Sequence, residues 1–320
     1  MMARRDYQPT APKPYGFVRI DPLRDEDRRH PAGHDSYKEG TVSGTLRGEI
    51  YILSPVHVAS GTLETQKVPE DPLYKAHVRS GGQAVIPGST LKGVVRSVVE
   101  AISPSCVRIT RARTNKLSRN AAGCRDKKKL CVACRMFGSL GYQGQVRFTD
   151  AVLRQGQGTQ LVRTPSLYMP RTREGGVYLE RGQVKGRKFY RHGQPALGNV
   201  PVEVCPADSK LDFALHFDNL APAELGLLLT ALGLGEPSLA LKLGGGKPTC
   251  YGSVQVRMSG LEVFEDVTAA YVDYNTAEAA SADPAPYLAA TGELIRAERL
   301  QELAGLLRVD VNRECPAGNY

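Results

Sequence analysis

The sequence predicts an α+β fold, and three observations carry the prediction. Apolar residues alternate at period two in four separated stretches, and two further stretches repeat them at helical spacing. The six follow one another as strand, helix, strand, strand, helix, strand. That order is the ferredoxin-like or RRM-like plan, a four-stranded antiparallel sheet with helices on one face.

Residues 1–40 hold five prolines, mixed charges and no sustained period, which predicts an irregular N-terminal arm. The first strand begins near Thr41, where Val42, Gly44, Leu46, Ile50 and Ile52 mark its pattern. A long polar connection with glycine and proline clusters follows. Residues 86–96, IPGSTLKGVVR, then place a turn (Pro87, Gly88) before an apolar-periodic helix, with Ser89 and Thr90 as N-cap candidates.

A basic, cysteine-bearing insertion at about 104–136 leads into a second strand around Gln145–Leu153. Residues 154–204 are rich in glycine, arginine and tyrosine with weak alternation, as in an exposed β-hairpin. Leu211, Phe213, Leu215 and Phe217 form the clearest strand; Asp218 or Asn219 would cap the helix after it, which stops at Gly233 and Gly235. SVQVRM from Ser253 is the last strand of the domain, which spans 41–260. Residues 261–320 form an acidic extension in which Leu294, Leu300, Leu303, Leu306 and Leu307 suit one amphipathic helix within Thr291–Arg308.

Charge is unevenly distributed. The 320 residues carry a net charge of +9. Residues 107–130 hold nine Lys or Arg against one acid, residues 154–193 nine against two, and residues 260–320 four against eleven. Two basic stretches flanking a metal-like motif favour a nucleic-acid partner. No apolar run approaches the roughly 20 residues that span a bilayer, and the N-terminus lacks the apolar core of a signal peptide, so the expected setting is soluble and cytoplasmic.

Three local signals bear on chemistry. The start of the helix at Ser89 offers amide donors and a partial positive charge, to which Ser89, Thr90, Lys92 and Arg96 add; an ordinary capped helix with exposed cations is the plainer reading. Cys106, Cys124, Cys131 and Cys134, the last two as C-x-x-C, match a tetrahedral structural zinc site that would fold a charged insertion lacking its own core. A redox C-x-x-C is the rival, and His77 or His57 can replace Cys106 as the fourth ligand. Cys205, Cys250 and Cys315 are isolated and read as inert thiols. Gly244, Gly245 and Gly246 before Lys247 let backbone amides approach a phosphate, although no Walker pattern follows.

HVASG after the first strand, IPGSTLKGVVR, the cysteine cluster running into CRMFGS, QVRFTDA, FALHFDNLAPAELGLLLTAL and LGGGKPTCYGSVQV stand in one order across residues 41–258. In that order they resemble the RAMP (repeat-associated mysterious protein) superfamily, and within it the backbone subunit of type III CRISPR effector complexes. The resemblance implies an RRM-like palm, a zinc-bearing insertion and a β-hairpin thumb that wedges between guide and target RNA. On this chain it implies crRNA contacts by His57, Ser89, Thr90, Lys92, Arg96 and Gly244–Lys247, and thumb contacts by Arg163, Tyr168, Arg171 and Arg173. The implied partners are guide crRNA, complementary target RNA and other CRISPR-associated subunits, homologous RAMP copies among them.

In nuclease-active relatives an aspartate two positions before a proline supports metal-dependent cleavage. Here Glu70 stands two before Pro72 and Asp71 adjoins it. A carboxylate there would place Mg²⁺ or orient the attacking 2′-hydroxyl, with Asp71 the stronger candidate. The competing expectations are a non-catalytic scaffold or capping subunit and a stand-alone zinc-bearing RNA-binding protein. The second lacks the aromatic RNP pattern, and no pair of histidines at partner spacing marks a guide-processing endonuclease.

Overall fold

The computed structural model describes residues 14–66, 73–107, 116–117, 121–167, 178–264 and 280–316. In chain order its elements are β1 (Tyr15–Val18), β2 (Val42–Ile52), β3 (Ala59–Thr65), β4 (Leu73–His77), β5 (Arg79–Ser80), β6 (Gln83–Ile86), α1 (Gly88–Ile102), α2 (Val132–Phe137), β7 (Val146–Phe148), β8 (Ala151–Leu153), β9 (Gln160–Thr164), β10 (Leu179–Glu180), β11 (Gln183–Val184), β12 (Arg187–Tyr190), β13 (Val200–Val204), β14 (Lys210–Leu220), α3 (Pro222–Ala231), β15 (Leu241–Lys242), β16 (Ser253–Val263), β17 (Ala280–Ser281), α4 (Ala285–Ala289) and α5 (Ala297–Leu306). The architecture is α+β, with an antiparallel sheet and few helices, compatible with a ferredoxin-like fold.

Alternation explains the sheet. Leu46, Ile50 and Ile52 of β2, Leu211, Phe213, Leu215 and Phe217 of β14, and Val254, Val256 and Leu261 of β16 all point to one buried face. The antiparallel register puts Leu46 opposite Leu215 and Ile50 opposite both Leu211 and Val256, so apolar side chains meet across the ladder. Leu91, Val95, Val98, Val99 and Ile102 of α1 and Leu225, Leu228 and Leu229 of α3 cover that face. Burying each such side chain contributes roughly 1.5–3 kcal/mol. All of α3 from Glu224 to Ala231 is buried because α4 closes over its outer side, where a Cβ on Gly226 would stand 2.0 Å from the Tyr287 carbonyl.

The other face of the sheet is saturated by its own charges. Glu49 lies 2.7 Å from Arg154, 3.5 Å from Arg257 and 3.8 Å from Lys210, and Arg154 also pairs with Asp212. Arg47 pairs with Glu262, and the Arg257 guanidinium covers the Tyr51 ring.

Several expectations need correction. The sheet is nine-stranded, with path β15-β16-β2-β14-β8-β6-β5, because β7 and β8 both pair with β14 and short strands extend its edges. The polar connection after β2 contains β3 to β6: β3 is exposed and held through its backbone, whereas β6 buries Ala84, Val85 and Ile86 and pairs with β8. Within the described part of residues 154–204, β9 and β13 pair antiparallel in a second sheet of order β3-β4-β13-β9, while β12 between them pairs with the N-terminal β1. The described part of the arm pairs with β12 through β1 and places Val18 and Leu23 in the core. Neither Asp218 nor Asn219 caps α3: Ala221 is its N-cap, and the Glu224 carboxylate accepts the Ala221 amide at 3.2 Å. Asn219 instead binds the arm through Lys38 N and Ser36 O. The C-terminal leucines divide between a 3-10 turn at Gly292–Leu294 and α5.

Candidate metal centre and nucleic-acid interface

The four predicted cysteines converge. Cys131 is the N-cap of α2 and Cys134 lies in its first turn, Cys106 follows α1, and Cys124 closes the loop between. All four are buried, their sulfurs lie within 4.8 Å of one another, and Cys106 Sγ stands 3.5 Å from both Cys131 Sγ and Cys134 Sγ. Sulfurs about 2.3 Å from a tetrahedral zinc lie about 3.8 Å apart, so the set fits that ion. Nitrogen donors surround the sulfurs as well. The Cys106 amide donates to Cys131 Sγ at 3.4 Å, the Cys131 amide to Cys124 Sγ at 3.3 Å, and Arg96 Nη2 to Cys134 Sγ at 3.4 Å. Hydrogen bonds from the other three thiols lower the pKa of Cys124 and so favour its thiolate, whereas the hydrogen bond to Cys124 raises the pKa of Cys106. A buried four-cysteine cluster of this kind can hold a structural metal such as zinc.

The cluster also braces the insertion. Arg135 joins it to α3 through Glu224, at 2.7 and 3.0 Å, and donates to the Leu130 carbonyl. Between Cys124 and Cys131 the exposed turn carries Arg125, Lys127, Lys128 and Lys129, with Asp126 accepting the Lys128 amide.

The second grouping joins two segments far apart in sequence. The Gly245 amide donates to the His57 carbonyl at 2.8 Å. Gly244 has φ +67°, and a Cβ there would stand 2.1 Å from the His57 carbonyl oxygen, so only glycine fits. Lys247 opens the 3-10 turn Lys247–Thr249 and is half-buried; among the described residues its ammonium meets no carboxylate or acceptor, and burial lowers its pKa. Lys242 lies beneath, 7 % exposed, donating to the Cys250 and Tyr251 carbonyls at 3.0 Å each. Burial, with Lys247 adding, pushes its pKa down to about 7.

His57 Nδ1 donates to the Glu203 carbonyl at 2.7 Å, which leaves Nε2 as the acceptor nitrogen. Burial lowers its pKa. The ring stacks edge-on against His77 at 6.1 Å between centroids, a pairing that spacing did not indicate. Both His77 nitrogens are engaged: Nδ1 accepts the Val58 amide and Nε2 donates to the Val85 carbonyl. Behind them sits Glu203. Burial opposes its ionisation, but the Thr159 hydroxyl, the His77 amide and Arg79 hold its carboxyl below the usual carboxylate range.

At the start of α1, Pro87 is the N-cap, which corrects the reading of Ser89 and Thr90; both stand inside the first turn, Ser89 exposed and Thr90 half-buried. Asp150 accepts the Gly88 amide at 2.8 Å and takes the capping role. Lys92 has no partner among the described residues, and burial, with Arg96 and Arg147 beside it, lowers its pKa. Arg96 turns inward, donating to Glu100, Gly138 O and Cys134 Sγ. Leu91 of α1 and Leu243 before the glycine loop line one apolar cleft, which ties the two candidate stretches to the same part of the domain.

Arg163 is exposed on β9, opposite Pro201. Glu70, Asp71, Tyr168, Arg171 and Arg173 lie outside the described residues. Cys250 and Cys315, read as isolated, are joined by a disulfide, and Cys205 is buried with its sulfur 3.7 Å from His77 Nε2. Sequence reasoning missed Asp150, Glu203, Lys242, Glu100 and Arg187. Of these only Asp150 had a visible signal, an aspartate in the QVRFTDA segment; the others have partners that only the fold brings near.

A family model described as the RAMP superfamily matches residues 49–255. The chain belongs to the RAMP superfamily. No curated protein matches the chain. Membership in the RAMP family points to a CRISPR-associated RNA-binding subunit, and the matched span contains the cysteine cluster, His57 and the glycine loop together. No helix of the described residues is long and apolar enough to cross a membrane.

Proposed function

We propose that this RAMP protein is a guide-RNA-binding backbone subunit of a type III CRISPR effector complex, which positions target RNA for metal-dependent cleavage. The observation that carries the reading is the union of His57 with the Gly244–Lys247 loop through the Gly245 amide, beside a lysine that no carboxylate among the described residues neutralises. Cations and close backbone hold phosphates without reading bases, and guide pairing then supplies the sequence specificity.

In this reading β16, β2, β14 and β7/β8 form the palm, in the strand order that a ferredoxin-like plan requires. Residues 41–260 are the RAMP domain, with 261–320 as an extension beside it. Ser89, Thr90 and Lys92 reach the guide backbone, and zinc in the cysteine cluster holds the Arg125–Lys129 turn toward RNA. Arg163 belongs to the thumb with Tyr168, Arg171 and Arg173. Asp71 or Glu70 supplies the carboxylate for Mg²⁺. A stand-alone RRM mode finds no support in the open sheet face, where Arg47, Arg154, Lys210 and Arg257 are matched to carboxylates and Tyr51 lies under Arg257.

The test is cleavage of guide-complementary RNA by the complex reconstituted with its genomic neighbours, comparing wild type with Asp71→Ala and Glu70→Ala, with Mg²⁺ and with chelator. Loss of one metal-dependent cut with guide binding intact is the expected result. Survival of every cut would make the chain a non-catalytic scaffold, and failure to retain guide RNA would overturn the backbone reading.

A further inference from the structure

Glu100 of α1 is 3 % exposed and stands between two arginines. Arg96 Nε donates to its Oε1 at 2.7 Å, and Arg187 Nη1 lies 2.6 Å from its Oε2. A buried Arg–Glu–Arg triad carries one positive charge in excess, which is costly unless a negative group adjoins it. The group that adjoins it is the cysteine cluster, reached by Arg96 at Cys134 Sγ. A divalent cation bound by four thiolates bears two net negative charges, more than enough to attract the triad's one excess positive charge, whereas four neutral thiols bear none.

The far end of the triad meets a different element. Arg187 is the first residue of β12 and pairs with Val18 of β1. This two-stranded ribbon joins neither larger sheet; it rests on α5, where Gly16 abuts Leu306. Arg96 is secured by Glu100 one turn along its own helix and by the Gly138 carbonyl, whereas the guanidinium of Arg187 is held at Glu100 and Ser97 Oγ. The ribbon's anchor is thus the member of the triad with least else to hold it.

We infer that Glu100 and its two arginines couple the cysteine site to the β1–β12 ribbon, so that Arg187 is a positioning residue holding the ribbon against α1 only when the cluster carries a metal. This rests on the reading of the cluster as a metal centre. With the cation bound, the triad's one positive charge offsets half of the tetrathiolate's two negative charges, and the Cys106 and Cys131 amides that donate to the sulfurs face the rest. Without it the excess charge is relieved when Arg187 swings to solvent, and the ribbon loosens from the domain. The metal then does more than fold its own insertion, because it sets the position of a strand about fifty residues further along the chain.

The experiment measures zinc per chain first and then amide hydrogen exchange of the full-length protein, before and after chelation and after zinc is restored. Wild type, Arg187→Gln and Glu100→Gln are compared. In wild type, chelation should speed exchange of residues 15–18 and 187–190 at least about tenfold, as loss of a buried ion pair implies, while β2 and β14 stay protected; zinc restores the ribbon. Arg187→Gln should keep wild-type zinc yet show a ribbon already loosened and indifferent to chelator. If chelation melts the whole chain, zinc-loaded Arg187→Gln decides: a loosened ribbon supports the coupling, and wild-type protection overturns it. A ribbon unmoved by chelation in wild type, with the sheet intact, also overturns it. Absence of zinc from the purified protein defeats the metal reading itself and is seen before any exchange is measured.

Discussion

Raising the pH from about 6 to about 9 should stabilise the wild-type protein more than a Lys242→Met variant. Lys242 is 7 % exposed, has no carboxylate within ion-pair distance among the described residues, and donates from its nitrogen to two backbone carbonyls. Two N–H groups suffice for two carbonyls, so the neutral amine keeps both bonds while escaping the cost of a buried charge. Burial accordingly lowers its pKa from 10.5 to about 7. Below pH 7 both folded and unfolded chains hold the proton, and the cost of burying it is fully present. Between pH 7 and 10.5 the unfolded chain holds more protons than the folded one, so stability rises with pH. Each unit well above the folded pKa is worth about 1.4 kcal/mol, which gives about 2.7 kcal/mol over the whole range from pH 6 to 9. Methionine keeps the stem's packing and removes the titration. Urea unfolding followed by circular dichroism at both pH values reads the difference, other groups cancelling between the two proteins. A wild-type advantage that does not change with pH would refute the reasoning.

Three further outcomes are expected. Gly244→Ala should weaken guide-RNA retention and destabilise the fold, because its Cβ would stand 2.1 Å from the His57 carbonyl at φ +67°, whereas Gly245→Ala, with 3.5 Å to the His57 ring, should be tolerated; thermal melts and RNA filter binding separate the two. Lys247→Gln should lower the slope of log affinity against log salt by about 0.7, the value for one phosphate contact on a single strand, measured on the assembled complex between about 50 and 200 mM salt. Cys131→Ser should abolish bound zinc and open the Arg125–Lys129 turn to trypsin, since Cys131 is one of the four clustered cysteines and the residue from which α2 starts; an unchanged zinc content would remove the metal centre.

The strands β2, β14 and β16 and the helices α1 and α3 were legible because each buries one face against a common core, and burial on one face writes a period into the sequence. The cysteine cluster was legible from spacing, since Cys131 and Cys134 must share a helical turn to reach one point. By contrast β3 is exposed throughout, β9 is exposed or half-buried, and β4 buries only Ala76 and His77 at its end; in this second sheet they are held through backbone hydrogen bonds that any side chain permits, so no period announces them. The capping of α1 by Asp150 was hidden for a similar reason: donor and acceptor are 62 residues apart. Arg96 shows the same limit more sharply. As a cation in the first turns of a helix it reads as a phosphate ligand, but its guanidinium faces Glu100 and Cys134, and only the crossing of α1 over α2 decides that.

What the sequence determined by itself is therefore what depends on near neighbours: the alternation of each central strand, the apolar stripe of α1, the four thiols, and the glycines that admit positive φ at Gly244 and Gly246. The tertiary structure alone decided which distant groups meet. It set His57 against the glycine loop, Lys242 beneath it, and Glu100 between Arg96 and Arg187. Local periodicity records whether a side chain is buried, but the identity of its partner depends on how separate elements pack, and that is settled only when the whole core closes.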